Sequence, residues 1–175
     1  MATHTEEQPG NFRQLTWCAS FALVFSLCAA MQSGNAPAAE SRATESLESF
    51  PQSALEIRTS QGRQWFNIRI ADSAARQEQG LMYVRALPAD EGMLFPQARP
   101  RVMTFWMKNT VIPLDLLFIT AHGRIACLHE QARPLALDLI ACDQAVKAVL
   151  EIGGGEAAKR GIRVGDLVKH AVFHR

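Results

Sequence analysis

The chain has 175 residues, 48% of them hydrophobic, and a formal net charge of +1. This length is sufficient for one well-buried core, so a single globular domain is the default expectation. The charge is close to neutral and the basic residues are scattered, which is not the electrostatic pattern of a nucleic-acid-binding protein. Nucleic acid is therefore not an expected partner.

The N-terminal region differs in composition from the rest of the chain. A head containing Arg13 precedes an apolar block over residues 15–30, and the small-residue sequence APA ends at Ala38. This order of features is typical of a secretory signal peptide, so we predict a signal over residues 1–38 and export to the periplasm or extracellular space. Two glutamates weaken the positive charge of the head. An uncleaved membrane anchor over residues 15–30 is the alternative.

The segment over residues 39–53 is rich in Ser, Ala and Glu and predicts a flexible tether, which leaves residues 54–175 for the folded domain. Alternating apolar residues in LEIRT and QWFNIRI predict a β-hairpin. ADSAARQEQG then predicts a short helix, with Asp72 or Ser73 as the N-cap and Gly80 at its end. MLF predicts a short strand that stops at Pro96, followed by a loop over QARPRV.

The second half of the chain contains further strand patterns. MTFWM predicts an extended segment, and LDLLFIT with RIACLHE predicts a second hairpin in which Ile125, Cys127 and His129 share a face. AVKAVLEI predicts a strand, GGGEAAKRG a tight turn with glycines of positive φ into a short helix, and LVKHAVFH the last strand. The pattern indicates an α+β, strand-dominated compact domain: a curled or barrel-like mixed or antiparallel sheet with two short helices.

Cys127 and Cys142 are the two cysteines that follow the predicted signal. In an oxidising compartment they are able to form a disulfide, and the alternative is a pair of buried apolar thiols. Neither cysteine has a histidine directly beside it, so we do not expect a catalytic thiol.

Several motifs occur in one order along the chain: GLMYVR, GMLF, FWMKNTVIPLDLLFI, GRI, VLEIGGG and GIRVGDLV. Through these motifs the segment from Trp65 to Val168 resembles the family known as domain of unknown function 192. The resemblance implies one small β-rich domain that is often exported in bacteria. It implies no particular activity.

The motif FWMKNTVIPLDLLFI places polar side chains among apolar ones. Asp115 lies in a strand that is apolar on both faces, where a carboxylate requires hydrogen-bond partners. One interpretation is structural: Asp115 accepts hydrogen bonds from the backbone N–H groups of an Asn109–Thr110 bend, or pairs with an arginine such as Arg76.

The second interpretation is a ligand pocket, because the same stretch offers an aromatic face, charges and an amide that suit a sugar or a peptidoglycan fragment. The candidate ligand-binding residues are Trp106, Lys108, Asn109, Asp115 and Arg76. Glu151 is another carboxylate within an apolar strand. Asp115 and Glu151 are weak catalytic candidates, since glycosidic acid/base chemistry requires two carboxyl groups across one cleft.

Metal-binding patterns are weak in this sequence. Thioether clusters suit Cu(I), but the spacing is irregular and favours core packing for Met82, Met93, Met103 and Met107. The histidines lack the close spacing of a zinc site: His129, His170 and His174. We therefore expect no metal and no other cofactor.

The sequence predicts an exported, non-catalytic ligand-binding or accessory protein of the cell envelope, with an envelope glycan or an envelope protein as partner. One alternative is a hydrolase or lytic enzyme that acts on envelope glycans through Asp115 and Glu151. Another is a partner-binding module with an exposed apolar patch near Trp65 or Phe95. Membrane contact is expected only through an uncleaved N-terminal segment.

Overall fold

The computed structural model describes residues 45–173. The predicted signal peptide, the alternative anchor and residues 39–44 of the predicted tether lie outside the described residues, as does His174. Within the described range the chain forms a seven-stranded sheet and a two-stranded one, together with two short α-helices. No helix of this range is long and apolar enough to cross a membrane.

The elements follow one another in chain order. The strands are β1 (Gln52–Thr59), β2 (Gly62–Ile70), β3 (Glu91–Arg101), β4 (Thr104–Phe105), β5 (Leu114–Ile119), β6 (Ile125–Ala132), β7 (Ile140–Ala141), β8 (Val146–Gly153) and β9 (Leu167–Lys169). The helices are α1 (Ala74–Gln79) and α2 (Glu156–Lys159), and single 3-10 turns occupy Leu47–Ser49 and Ala171–Phe173.

The larger sheet has the strand order β6-β5-β8-β3-β2-β1-β9. The β2–β3 pair is parallel and the other neighbours are antiparallel. The two outer strands approach each other, because the backbone N–H of Ile125 donates to Asp166 at 3.0 Å and that of Val168 donates to Gly123 at 2.7 Å. The sheet therefore curls until its edges meet, which confirms the predicted fold class.

Two apolar layers cover the two faces of this sheet. All seven strands contribute to the first layer, which therefore fills the concave face; it includes Leu55, Phe66, Leu94, Leu117, Ile125, Leu150 and Val168. The second layer lies on the outer face of the central strands and is covered by the connecting segments; it includes Phe50, Leu81, Met93, Phe95, Met103, Met107, Leu116, Phe118 and Val149. Burial of both faces explains why β5 is apolar throughout except for Asp115.

The predicted helix limits agree with the structure at α1. The Ser73 side chain accepts a hydrogen bond from the backbone N–H of Arg76 at 3.3 Å, which is the expected geometry of an N-cap. Gly80 ends the helix with a φ of +48°, a conformation that glycine adopts without strain.

The prediction that a strand stops at Pro96 was wrong. β3 continues to Arg101, and the register of its ladder with β8 shifts between Pro96 and Arg101. A proline lacks the N–H that a regular ladder requires, and irregular positions of this kind accommodate it. The last predicted strand is also shorter than expected, since it ends at Lys169 and a 3-10 turn follows.

The predicted tether requires correction over its described part. Leu47–Ser49 forms a 3-10 turn, β1 begins at Gln52, and Phe50 is buried in the outer layer. The Arg76 guanidinium lies 5.1 Å from the centre of the Phe50 ring. Composition indicated a flexible segment, but the burial of Phe50 and the hydrogen bonds that Arg69 donates to Leu47 and Arg76 donates to Ser49 attach this stretch to β2 and α1.

A β-bulge determines the direction of Cys127. Phe118 pairs with Cys127 and Ile119 pairs with Ile125, so Ala126 is an extra residue in β6. Ile125 consequently packs in the concave layer while Cys127 packs against the outer layer. The prediction that these two residues share a face was wrong, because a bulge interrupts strict alternation. The bulge turns Cys127 towards Cys142, to which it is joined by a disulfide.

We expect reduction of this disulfide to lower the free energy of unfolding by about 3 kcal/mol, because the bond restricts the unfolded chain across a sequence separation of 15 residues. Denaturant titration with and without dithiothreitol measures the difference. The double variant Cys127→Ala/Cys142→Ala is the control, and its stability should not respond to the reductant. An unchanged wild-type titration, with both thiols shown by labelling to be reduced, would contradict the expectation.

Candidate functional site

Asp115 is fully buried and binds three backbone N–H groups. Its Oδ1 accepts from Gln131 at 2.8 Å and from Gly155 at 2.9 Å, and its Oδ2 accepts from Ala157 at 2.8 Å. The donors lie near the end of β6 and at the start of α2. This carboxylate therefore connects β5 to both of these elements.

The structural interpretation of Asp115 identified its chemistry but assigned the wrong donors. The predicted partners were the N–H groups of Asn109 and Thr110 or an arginine, whereas the observed donors are 16 to 42 residues away in sequence. The glycine-rich turn supplies one of them. Gly155 has a φ of +86°, and Gly154 approaches Pro113 so closely that a Cβ would lie 2.8 Å from the proline ring. The sequence predicted a positive φ for Gly153, Gly154 and Gly155, but only Gly155 has one.

Asp115 and Glu151 lie on opposite faces of the sheet. In the ladder between β5 and β8, Asp115 pairs with Ile152 and Leu116 pairs with Glu151. Paired residues share a face and successive residues alternate, so Asp115 faces the concave layer and Glu151 faces the outer one. The structure does not bring the two carboxyl groups into one cleft.

A cavity of about 490 Å³ opens on the outer side of the sheet. The end of α1, the end of β3, the segment around β4 and the middle of β8 form its wall. The polar and charged residues that line it are Gln77, Glu78, Gln79, Arg101, Thr104, Trp106, Lys108, Thr110 and Glu151. Of the predicted site residues, Trp106, Lys108 and Glu151 are therefore brought together.

Asp115, Asn109 and Arg76 are not among the residues that line this cavity. Arg76 instead binds Asp72 at 2.8 Å and Glu45 at 3.0 Å, and these bonds, the one to Asp72 first, raise the pKa of the guanidinium. The suggested contact of Arg76 with a buried carboxylate is therefore not present.

Asn109 forms the predicted bend beside the cavity. Its φ is +57°, a conformation that asparagine tolerates better than most residues. Its backbone oxygen accepts the N–H of Tyr83 at 2.9 Å, and its side-chain nitrogen lies 3.8 Å from the sulfur of Met82. Asn109 thus positions the loop that carries Lys108 and Trp106.

Trp106 forms an aromatic wall at the opening of the cavity. Its side chain is 46% exposed, and the Lys108 ammonium lies 5.0 Å from the centre of its ring. Deeper in the cavity, the Phe105 ring packs edge to face against Phe95, with 5.2 Å between the ring centres. The cavity therefore combines an exposed aromatic surface with an apolar interior.

Glu151 provides the buried polar end of the cavity. It is only 5% exposed and lies between Met93 and Leu116 in the sheet. Among the described residues its carboxyl group forms neither a hydrogen bond nor an ion pair, and its oxygens face the cavity. Burial raises the pKa of Glu151 from 4.5 to about 8. The group is therefore mainly protonated at neutral pH and is able to donate a hydrogen bond.

Sequence reasoning missed several residues of the cavity. Arg101 was assigned to a loop and Gln79 to a short helix, and only the folded chain brings both to the same wall. The four methionines do not form one cluster at the cavity. Met82 and Met103 line it, whereas Met93 and Met107 are buried in the outer layer without lining it. Residues 45–173 contain no group of three or more His, Cys, Asp or Glu side chains placed to hold a metal ion.

Six large apolar residues are exposed on the segments over residues 102–111 and 135–139, and we call them the apolar rim: Val102, Trp106, Val111, Leu135, Leu137 and Leu139. Val102 and Trp106 also line the cavity. The two segments are hydrogen-bonded to each other, since the N–H of Met107 donates to Ala136 and that of Leu135 donates to Thr110, both at 3.0 Å. An apolar patch was predicted near Trp65 or Phe95. Of these two residues, Trp65 is 55% exposed and Phe95 is buried.

Replacement of Asp115 by asparagine should lower the free energy of unfolding by about 3 kcal/mol, because an amide NH₂ then faces a buried backbone N–H. Denaturant titration provides the measurement. Asp138→Asn is the matched control, since the Asp138 side chain is 87% exposed and its substitution should change stability little. Equal stability of the two variants would show that the hydrogen bonds of Asp115 do not support the fold.

Glu151→Gln should remove a pH dependence of stability. The folded chain holds a proton on Glu151 that the unfolded chain releases between pH 4.5 and about 8. The free energy of unfolding of the wild type should therefore decrease as the pH rises through this range, by at most about 1.4 kcal/mol per pH unit. Denaturant titrations at pH 5 and pH 8 should show a smaller decrease for Glu151→Gln. The exposed Glu130→Gln variant is the control and should retain the wild-type slope.

Comparison with known proteins places these features in a family. No curated protein matches the chain. A crystal structure from Sinorhizobium meliloti 1021, of a protein provisionally assigned as a transcription regulator, is 35% identical over 70% of this chain and 96% of its own, with a TM-score of 0.68. The crystal structure of a protein of unknown function from Novosphingobium aromaticivorans DSM 12444 has 35% sequence identity to this chain. The match covers 73% of this chain and 91% of the Novosphingobium chain, with a TM-score of 0.69. The model of domain of unknown function 192, described as an uncharacterized ACR, matches residues 56–170, and the chain belongs to this family.

Proposed function

We propose that this protein is an exported, non-catalytic binding protein of the cell envelope, and that its cavity holds a small carbohydrate such as a fragment of envelope glycan. One observation carries the proposal: an exposed tryptophan and a buried protonated carboxyl group line the same cavity. A sugar ring requires both an apolar surface for stacking and hydrogen-bond partners for its hydroxyl groups.

The dimensions and chemistry of the cavity support a small ligand. Its volume of about 490 Å³ falls in the usual range for small-molecule sites. Thr104 and Thr110 provide hydroxyl groups on the wall, and Glu151 provides a hydrogen-bonding group at the buried end. The aromatic ring of Trp106 is the surface on which one face of a sugar would stack.

Two features support export. The N-terminal sequence has the order of features of a signal peptide. The disulfide between Cys127 and Cys142 is a bond that persists in oxidising compartments such as the periplasm. A binding protein with these properties would meet its ligand in the envelope.

The position of the carboxyl groups favours binding over hydrolysis. Glycosidic acid/base chemistry uses two carboxyl groups across one cleft, whereas Asp115 and Glu151 face opposite sides of the sheet. Asp115 is also fully engaged by backbone donors. Glu151 is left as a hydrogen-bonding group at the end of the cavity.

The apolar rim favours a second candidate function, the binding of an envelope protein. Exposed large apolar side chains that lie together are typical of protein interaction sites, and Leu137 and Leu139 are exposed by 66% and 72%. We do not extend transcription regulation from the Sinorhizobium protein to this chain, because a net charge of +1 gives little attraction to DNA.

A thermal-shift experiment tests carbohydrate binding. A panel of hexoses, acetamido hexoses, hexuronic acids and glycan disaccharides should contain at least one compound that raises the melting temperature, because a ligand at 100 times its dissociation constant adds about 2.7 kcal/mol to stability. Trp106→Ala should abolish the shift, since it removes the stacking surface.

Trp65→Ala is the matched control for this experiment. Trp65 is about as exposed as Trp106 but does not line the cavity, so its removal should leave the shift intact. Absence of a shift with every carbohydrate would contradict the proposed function. An equal loss of the shift in the two tryptophan variants would show that the ligand does not occupy this cavity.

A further inference from the structure

The buried end of the cavity presents a carboxyl group that has no hydrogen-bond partner among the described residues. Glu151 is about nineteen-twentieths buried, faces the cavity, and has no hydrogen bond or ion pair within residues 45–173. Its oxygens are open to the cavity, since the described residues contain no fully enclosed polar side-chain atom without a partner. A ligand with an oxygen at this position would supply a hydrogen-bond partner.

The exposed end of the cavity carries a net positive charge, from two cations and one carboxylate. The charged and titratable groups that line it are Glu78 near the end of α1, Arg101 at the end of β3, Lys108 after β4, and Glu151 itself. Lys108 lies over the Trp106 ring and Arg101 donates to Gln97 at 2.9 Å, so neither cation pairs with a carboxylate in the described part of the chain. Glu78 is engaged in an interaction of its own.

The two ends therefore select for different groups on one ligand. Arg101 and Lys108 are exposed, while Glu151 is buried. Guanidinium and ammonium groups bind carboxylates by charge-assisted hydrogen bonds. A carboxyl group that retains its proton donates a hydrogen bond to an uncharged oxygen, such as that of a hydroxyl or an amide.

From this arrangement we infer that the ligand is an acidic sugar, a pyranose that carries a carboxylate. Its ring stacks on Trp106, its carboxylate binds Arg101 and Lys108, and one of its neutral oxygens accepts the proton of Glu151. This inference rests on the proposed function and narrows its ligand class. An amino sugar is disfavoured, because its ammonium group would be repelled by the two cations.

Calorimetric titration with three probes tests the charge selection. At pH 7 we expect a hexuronic acid to bind at least tenfold more tightly than the neutral hexose of the same configuration, and more tightly than the corresponding 2-amino hexose. The variant Arg101→Gln/Lys108→Gln should reduce the affinity for the acid to that for the neutral hexose. Lys169→Gln removes a positive charge on β9, away from the cavity, and should preserve the preference.

A second titration series tests the role of the buried carboxyl group. The pKa of Glu151, raised by burial to about 8, implies that the wild type loses its donor as the pH rises from 7 to 9. We expect the affinity for the hexuronic acid to fall over this range by up to about tenfold, the factor by which the protonated fraction of a group with this pKa decreases. Glu151→Gln should retain its affinity, because the amide remains a hydrogen-bond donor at both pH values.

The outcomes separate this inference from the proposed function. If neutral hexoses bind as tightly as the acid and the signal depends on Trp106, the cavity binds carbohydrate and the selection for an acid is overturned. Tighter binding of the amino sugar, or an acid affinity that is unchanged in Arg101→Gln/Lys108→Gln, also overturns it. If none of the three probes binds while another carbohydrate shifts the melting temperature, the inference fails and the proposed function stands. If no carbohydrate binds, both fail.

Discussion

The hydrogen bonds of Asp115 are the constraint on which the arrangement of this domain depends. A buried carboxylate in an apolar strand is stable only when its oxygens are bonded, and here backbone donors from two other elements provide all three bonds. These bonds hold the end of β6 and the start of α2 against β5. The turn after β8 must then pass close to Pro113, which requires a residue without a Cβ at Gly154. The close packing of this turn against Pro113 thus explains the glycine at position 154.

The register between β5 and β8 determines which carboxyl group faces the cavity. Since residues alternate along the ladder between β5 and β8, the face that Asp115 occupies is closed by the curl of the sheet, while Glu151 faces outwards. The outer face is covered only by connecting segments, and these leave a cavity above Glu151. The separation of a structural carboxylate from a cavity-facing one follows from their relative register. It is the physical reason for preferring binding to acid/base hydrolysis.

The candidate site was predictable in part. Trp106, Lys108 and Glu151 were identifiable because polar or aromatic residues interrupt apolar strands, and the structure places all three around one cavity. Asn109 was chosen as part of the same motif and Arg76 as a helical arginine within reach of a buried carboxylate, but they stabilise a bend and an N-terminal contact instead. Residue type alone does not distinguish these cases, because the direction of each side chain depends on packing between distant segments.

The sequence by itself determined the family, the strand-dominated fold class and most of the strands, because these depend on local alternation and on motifs that are contiguous in the chain. It also indicated that Asp115 required partners, since the cost of an unpaired buried carboxylate is independent of the fold. Only the tertiary structure decided which backbone N–H groups bind Asp115. It also decided that a bulge turns Cys127 towards Cys142. Finally, it placed Glu151 at the end of a cavity with no hydrogen-bond partner among the described residues. Each of these depends on register and on contacts between residues far apart in the chain, which local patterns do not encode.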